Sequence, residues 1–353
     1  MQIVRIGKAR LFAPMKSRIN STLAVLFLIL TVACAAAPAD TSAGPPDLPL
    51  KAVAVPLNTA DRGLTEAGRL RYRGGIELIS SNRLFGGLSG LDVAADGKRL
   101  VAMSDNGRWV SLTLTYDKGQ LAGAANGVMK PIRRLAGYDR PGNWRDAESI
   151  AQDGSGGYYV AFERQHRIWH YRAQPLDPID AEPVALKGPD DIDEQPANGG
   201  IEGLTRLCDR RLLALSEDAL GPTPSTTKAW VFDGQSWKSL SYAKTGNFHP
   251  TDAATLPDCN VVVLERSFAL PEGPRARLVL VPAKTIRPGA TLRGEELAML
   301  LQPDTIDNME GVTARKGENG ETLIYIISDN NFSPLQRTLL MMFELLPLPE
   351  KKK

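Results

Sequence analysis

Apolar positions along this chain come in short runs of about six residues, each meeting a turn signal and then resuming as a second apolar run. The turns Ala95-Asp96-Gly97, Asp153-Gly154-Ser155-Gly156-Gly157 and Gly317-Glu318-Asn319-Gly320 separate such pairs. Gly, Asn and Asp there supply the backbone geometry that joins two antiparallel strands, so each pair reads as a β-hairpin. Further strands follow in most units: Trp109 to Leu114, Ile168 to Tyr171, Ala229 to Phe232, Arg277 to Val281 and Leu339 to Phe343. Long stretches of helical periodicity are almost absent, so the chain is predicted to be all-β.

One phrase recurs five times: an acidic or small polar residue, a small residue and an apolar one, then a turn, then an apolar strand ending in acid. Leu88-Ser89-Gly90-Leu91 closes at Ser104-Asp105-Asn106, Ala147-Glu148-Ser149-Ile150 at Phe162-Glu163-Arg164, and Ile201-Glu202-Gly203-Leu204 at Ser216-Glu217-Asp218. Thr251-Asp252-Ala253-Ala254 closes at Leu264-Glu265-Arg266, and Met309-Glu310-Gly311-Val312 at Ser328-Asp329-Asn330. A period of roughly 50 to 60 residues marks stacked supersecondary units. Four-stranded antiparallel units repeated radially form a β-propeller, whose closure removes long exposed edges. Five blades are expected, and the stretches after Leu114 and after Val281 leave room for a sixth. The last unit lacks a final strand, which Tyr72 to Ser80 would supply by pairing the N-terminal part of the chain with the C-terminal part. A β-sandwich is the rival, but it gives no physical reason to place one residue type at the same hairpin position five times.

The 353 residues carry 42 basic against 40 acidic side chains, which leaves no basic field of the kind that phosphate-backbone binding needs and excludes nucleic acid as a partner. The N-terminus shows the three zones of a secretory signal peptide: Lys16-Ser17-Arg18, the apolar run Leu23 to Leu30, and small residues from Ala33 to Ala37. Met15 is a plausible true start. Cleavage after Ala35 or Ala37 is one outcome; lipid attachment at Cys34 is the other, since Thr31-Val32-Ala33-Cys34 resembles a bacterial lipobox with Thr where Leu is usual. Either route exports the chain to the periplasm or the medium, with membrane contact only through such a lipid. The expected organisation is a signal peptide over 1–35, a disordered tether over 36–68, the propeller over 69–348 and a basic tail over 349–353, acting as a monomer. Export permits disulfides, and the repeat aligns Cys208 and Cys259 in the same turn of neighbouring units. They are candidates for a bond if their Cα atoms lie within roughly 7 Å.

In an antiparallel hairpin the start of the first strand lies beside the end of the second. Glu148 therefore meets Glu163, Glu202 meets Glu217, Asp252 meets Glu265, and Glu310 meets Asp329. If each first strand lines the central tunnel, these eight acids converge on one mouth. Such a ring needs compensation, because like charges in a partly buried site oppose one another's ionisation. Oxygen ligands of this kind, with Asn106, Asn143, Asn198, Asn308, Asn330 and Asn331 close in sequence, suit a hard divalent cation, above all Ca²⁺. Arg145, Arg164, Arg206, Arg266 and Arg337 are the alternative partners and would also hold phosphate or carboxylate on a ligand.

The segments GGLSGLDVAADGKRLVAMSDNG, RDAESIAQDGSGGYYVAFERQHRIWHY, NGGIEGLTRL and DNMEGVTARKGENGETLIYIISDNNF resemble, in this order, the bacterial phytase-like family described as having the esterase-like activity of phytase. The resemblance runs from about Leu84 to Leu345. It implies an exported propeller that hydrolyses phosphate or carboxylic esters; it brings no catalytic set to carry over residue by residue. Its fold is also similar to that of calcium-dependent propeller phytases, and fold alone does not settle function.

Two classes of function follow. As a phosphoesterase acting on a small anionic ester, the chain would place metal at the acid ring, with Glu148, Glu202, His166 and Arg164 in catalysis and Arg145, Arg206, Arg266 and His249 on the substrate. A metal-dependent lactonase would use the same ring. A serine esterase needs a nucleophile, a base and an oxyanion hole, yet the chain has three histidines, His166, His170 and His249, and no Gly-x-Ser-x-Gly elbow. Ser89 occupies the acid slot of the first unit, and His170, on an alternating strand, reads as structural. The non-enzymatic reading is a cell-envelope binding module with one structural cation and no turnover.

Overall fold

The computed structural model describes residues 47–173 and 177–348. The expected signal peptide, Met15, Cys34 and the basic tail lie outside these residues. Five sheets form five blades, antiparallel throughout except where Thr291–Leu292 joins the edge of blade 3 in parallel. The inner strands are Leu88–Val93, Ala147–Gln152, Ile201–Arg206, His249–Thr255 and Asn308–Lys316 in blades 1 to 5. Each packs against the next, and the fifth packs back on the first, so the ring is closed. No sixth blade stands among the described residues: Gln120–Pro131 is the fourth strand of blade 1, and Glu295–Leu301 the outer strand of blade 4.

Blade 5 takes its fourth strand from the other end of the chain. Leu70–Ile79 runs antiparallel to Thr338–Leu345, with Leu340 opposite Ile76. Lys51–Ala54 then adds to the outer edge of Leu70–Ile79, and Asp47–Leu48 pairs with blade 1. The tether expected over 36–68 is thus corrected from residue 47 onward: this segment is part of the propeller, anchored by the buried side chains of Leu48 and Leu57. The prediction failed because its Pro- and Ala-rich composition hid two edge strands that gain their hydrogen bonds from distant parts of the chain.

Both faces of every blade are covered, which explains why the second strands are continuously apolar instead of alternating. In Val261-Val262-Val263-Leu264 the odd positions pack toward blade 3 and the even ones toward blade 5. In Leu323 to Ile327, Leu323, Tyr325 and Ile327 face blade 1, while Ile324 and Ile326 face blade 4. Five apolar clusters result, one for each blade-to-blade interface.

The small residue of the repeated phrase has a geometric cause. Around the tunnel the inner strands approach so closely that a Cβ on Gly90 would sit 2.6 Å from the Ile150 amide nitrogen of blade 2. One on Gly311 would collide with the Ser89 carbonyl of blade 1. Cys208 and Cys259, in matching turns of blades 3 and 4, are bonded with their Cα atoms 5.6 Å apart.

Candidate functional site

In blades 2, 3 and 5 the first-strand acid and the second-strand acid of the hairpin do meet at one end of the tunnel. There a cavity of about 180 Å³ is lined by Asp105, Asp146, Glu148, Glu163, Glu202, Glu217, Glu310 and Asp329, with Ser89, Asn198 and Asn331 between them. Two guanidinium groups, Arg164 and Arg266, face these eight carboxyl groups. Arg266 lies 3.2 Å from Glu217 and 3.3 Å from Glu310, and Arg164 pairs with Asp146. Two cations do not balance eight acids, and burial and mutual repulsion drive protons onto the carboxyl groups.

The shifts follow that cause. Burial first, then Asp146 and Glu163, raise the Glu148 carboxyl well above the ordinary range; burial, Glu148 and Glu217 do the same to Glu202. Burial pushes Glu310 up to about 8 despite Arg266, with Asp329 and Glu217 adding to it. Asp105 reaches about 7 through burial, Asp329 and Asp146, and burial takes Asp329 itself to about 6.

Several of these oxygens lack protein partners. Glu202 is 7 % exposed and accepts no hydrogen bond among the described residues. Asp105 Oδ1 is buried without a hydrogen-bond donor among the described residues. Oxygens of Asp146, Glu148 and Glu163 lie within 4.8 Å of one another, as do those of Glu163, Glu202 and Glu217. Two oxygens on one Ca²⁺, each at about 2.4 Å, are at most about 4.8 Å apart, so an all-oxygen set with this spread fits that ion. Ser89 Oγ donates to Glu148 Oε2 at 3.1 Å and has no histidine beside it, which removes the serine route at this position.

Other sequence-predicted residues lie elsewhere, and each correction has a cause. Asp252 is buried below the cavity: it accepts hydrogen bonds from the Ala253 and Val312 amides at 2.8 Å and from Ser149 Oγ at 3.0 Å, tying the inner strands of blades 2, 4 and 5 together. Glu265 turns toward the interface with blade 3, accepting from Tyr242 Oη of blade 3 and from Arg277 Nε of its own blade, both at 2.6 Å. Neither faces the ring. Arg206 ends its inner strand, and four residues of strand carry it about 13 Å from Glu202; it lines a second cavity at the opposite mouth with Asp92, Gln152 and Thr313. Arg145 stacks on Trp144, 5.1 Å from the ring centre, outside the cavity. His166 packs behind Glu163 against Gly200, its Nε2 on the Pro196 carbonyl at 2.9 Å, so it does not reach the cavity. His249 stands at the rim with Nδ1 2.7 Å from Asp218. His170 is held by Asp153 at 2.8 Å, and Arg337 lies 3.7 Å from Asp307, away from the ring.

Two lining acids escaped the sequence reading. Asp105 fills the second-strand slot of blade 1, a place the repeat marks, but its hairpin partner is Ser89 and not an acid. Asp146 lies two residues before Glu148, immediately ahead of the inner strand Ala147–Gln152, where the repeated phrase does not reach.

A family model described as phytase-like, esterase-like activity of phytase, matches residues 83–332. The chain belongs to the phytase-like family. The matched span holds all eight carboxyl groups of the cavity. No curated protein matches the sequence. Among solved structures, the PQQ-bound aldose sugar dehydrogenase from Streptomyces coelicolor is 11 % identical over 85 % of this chain and 100 % of its own, with a TM-score of 0.43. A protein of unknown function from Dyadobacter fermentans is 12 % identical over 84 % of this chain and 91 % of its own, with a TM-score of 0.41. Neither likeness bears on what the phytase-like cavity does.

Proposed function

We propose that this phytase-like propeller is an exported, metal-assisted hydrolase of phosphate esters acting at the acidic mouth. One observation carries the reading: eight carboxyl groups from four blades converge on a cavity with two guanidinium groups, and Glu202 there accepts no hydrogen bond among the described residues. Export is supported by the three-zone N-terminus and by the Cys208–Cys259 bond, which suits an oxidising compartment.

Asp146, Glu148 and Glu163 would hold one Ca²⁺ and Glu163, Glu202 and Glu217 a second. Bound there, Ca²⁺ would polarise a phosphoryl oxygen and lower the pKa of an attacking water. Arg164 and Arg266 point into the same space and meet the remaining phosphoryl charge. In the net step a water oxygen bonds to phosphorus, the bond from phosphorus to the ester oxygen breaks, and the alcohol leaves with a proton.

The test is thermal unfolding with Ca²⁺ or chelator beside turnover of a phosphomonoester and a short acyl ester. The expected outcome is stabilisation by Ca²⁺ and Ca²⁺-dependent phosphate release, lost by about 100-fold or more in Glu148→Gln and Glu202→Gln while the fold is kept. Stabilisation without turnover of either ester would instead establish a binding module with a structural cation; the absence of both effects would overturn the metal site itself.

A further inference from the structure

The tunnel has a second mouth, and its chemistry is different. At the end away from the acid ring, a cavity of about 200 Å³ is lined by the far ends of the inner strands of all five blades, and it shares no lining residue with the acidic one. Between the two, Ser149 Oγ donates to Asp252 Oδ1 and accepts from the Leu204 amide, both at 3.0 Å, while the Val312 amide donates to Asp252 Oδ2 at 2.8 Å. These bonds tie the inner strands of blades 2 to 5 together at the waist and keep the cavities apart.

Three residues past the first-strand slot of the acid phrase, the repeat reads Asp92, Ala151, Thr205, Thr255 and Thr313 in blades 1 to 5, and all five line this cavity. Where the other mouth gathers eight carboxyl groups, this one holds a single carboxyl and three hydroxyls. Asp92 is a fixed acceptor, its Oδ2 receiving Gln152 Nε2 at 2.6 Å and Tyr158 Oη at 3.0 Å. The Thr205 and Thr255 hydroxyls lie 3.1 Å apart, and the Thr255 amide donates to Thr205 Oγ1 at 3.0 Å. One hydroxyl proton satisfies that pair, and the other is left for a ligand.

The remaining ionisable group of the lining is Arg206. Its guanidinium lies directly over Gly154 in the turn of blade 2, where a Cβ would come within 2.6 Å of Nη1 and 3.1 Å of Nη2. Arg315 of blade 5 lies over Gly97 of blade 1 in the same way, but it is spent: Nε donates to Tyr325 Oη at 3.1 Å and Nη1 to the Lys316 carbonyl at 3.2 Å. The Arg206 guanidinium makes no hydrogen bond or ion pair among the described residues, so the turn glycine holds a cation at the cavity with its donors unused.

We propose that the second mouth is a binding site for a small hydroxycarboxylate, whose carboxylate pairs with Arg206 and whose hydroxyls bond to Thr255 and Asp92. The planar guanidinium fork matches a carboxylate. Arg206 on blade 3 and Asp92 on blade 1 belong to blades that are not neighbours, so a ligand that uses both spans the mouth and keeps its own charge away from the carboxyl group. The volume lies below the 300 to 1,000 Å³ usual for a drug-sized ligand and limits this one to a few carbons. The site is independent of the hydrolase reading, which concerns the other cavity.

The test is calorimetry on the full mature chain in chelator with glycerate, propionate and glycerol, three probes on one three-carbon frame that carry both features, the carboxylate alone and the hydroxyls alone. Glycerate should bind about tenfold more tightly than either of the others, the usual worth of one hydrogen bond to a charged group. Arg206→Gln should weaken glycerate about tenfold and leave glycerol unchanged. Thr255→Val, which keeps the β-branched shape, should weaken glycerate about fivefold and leave propionate unchanged. Glu148→Gln, at the acid ring, should change none of the three. Equal affinity of wild type for glycerate and propionate, glycerate binding that survives Arg206→Gln, glycerate binding lost in Glu148→Gln, or no binding of glycerate would each overturn the proposal.

Discussion

Blade 4 carries the same acid phrase as blades 2, 3 and 5, yet its two acids do the opposite job. Glu148, Glu163, Glu202, Glu217, Glu310 and Asp329 face an unbalanced cavity, whereas Asp252 and Glu265 are fully buried and fully partnered. In the slot next to Glu265, blade 4 sends Arg266 into the cavity instead. The difference teaches that the slot fixes where a carboxyl group starts, while the donors around it decide what it becomes. A carboxylate given backbone amides or an arginine is a strut; one given other carboxylates is a site that stays unsatisfied until a cation or substrate charge arrives.

Substitution breaks this comparison most directly. Asp252→Ala strands the amides of Ala253 and Val312 and the Ser149 hydroxyl, and Glu265→Gln leaves Arg277, itself 7 % exposed, with only the exposed Glu296 3.8 Å away as counter-charge. Each should cost about 3 to 5 kcal/mol. Glu202→Gln and Glu148→Gln, measured in chelator, should gain stability, because they remove repulsion and leave no donor unpaired. Urea unfolding of the four variants reads this out. A loss for Glu202→Gln as large as that for Asp252→Ala would show that the mouth acids are struts too, and the contrast would be gone.

Much of this division was hidden from the sequence for a physical reason. The phrase from Met309 to Val312 and its four counterparts exposed the blades, the tunnel-lining strands and the end at which acids gather, because strand geometry ties hairpin position to place in space. The pairing of Leu70–Ile79 with Thr338–Leu345 was legible too, since blade 5 otherwise ends a strand short. What decides the fate of Asp252 is the Val312 amide of the next blade, 60 residues away, and no local pattern announces it. Arg206 misled in another way: it is near Glu202 in sequence, but an extended strand converts four residues into the length of the tunnel.

Blade 4 is also stapled to blade 3, and this gives a second and smaller way to probe its structural role. The Cys208–Cys259 bond closes a loop with a sequence separation of 51 at the face opposite the acid ring. Its removal in Cys208→Ser with Cys259→Ser should cost about 2 to 4 kcal/mol, mainly by freeing the unfolded chain. Because the bond lies far from the ring, Ca²⁺ should raise the Tm of the double variant by the same increment as that of wild type. A loss of the Ca²⁺ increment in the double variant would place the staple within the site's support, and blade 4 would then serve both ends of the tunnel.

The smallest expected effect is the pH dependence that the unbalanced ring gives to stability. Glu310, Asp105 and Asp329 titrate at about 8, 7 and 6 in the folded protein, above the ordinary carboxyl range of about 4. The folded state therefore holds protons that the unfolded state has already released. By linkage, the stability from these groups is complete below about pH 4 and drains away as pH rises through the folded values. In chelator, Tm should fall by several degrees between about pH 5 and pH 8, and Glu310→Gln should flatten the upper part of the slope. Saturating Ca²⁺ should abolish the fall, because the cation supplies the charge that the protons did. A Tm in chelator that rises over this interval would mean that the carboxylates of the ring are already compensated within the protein.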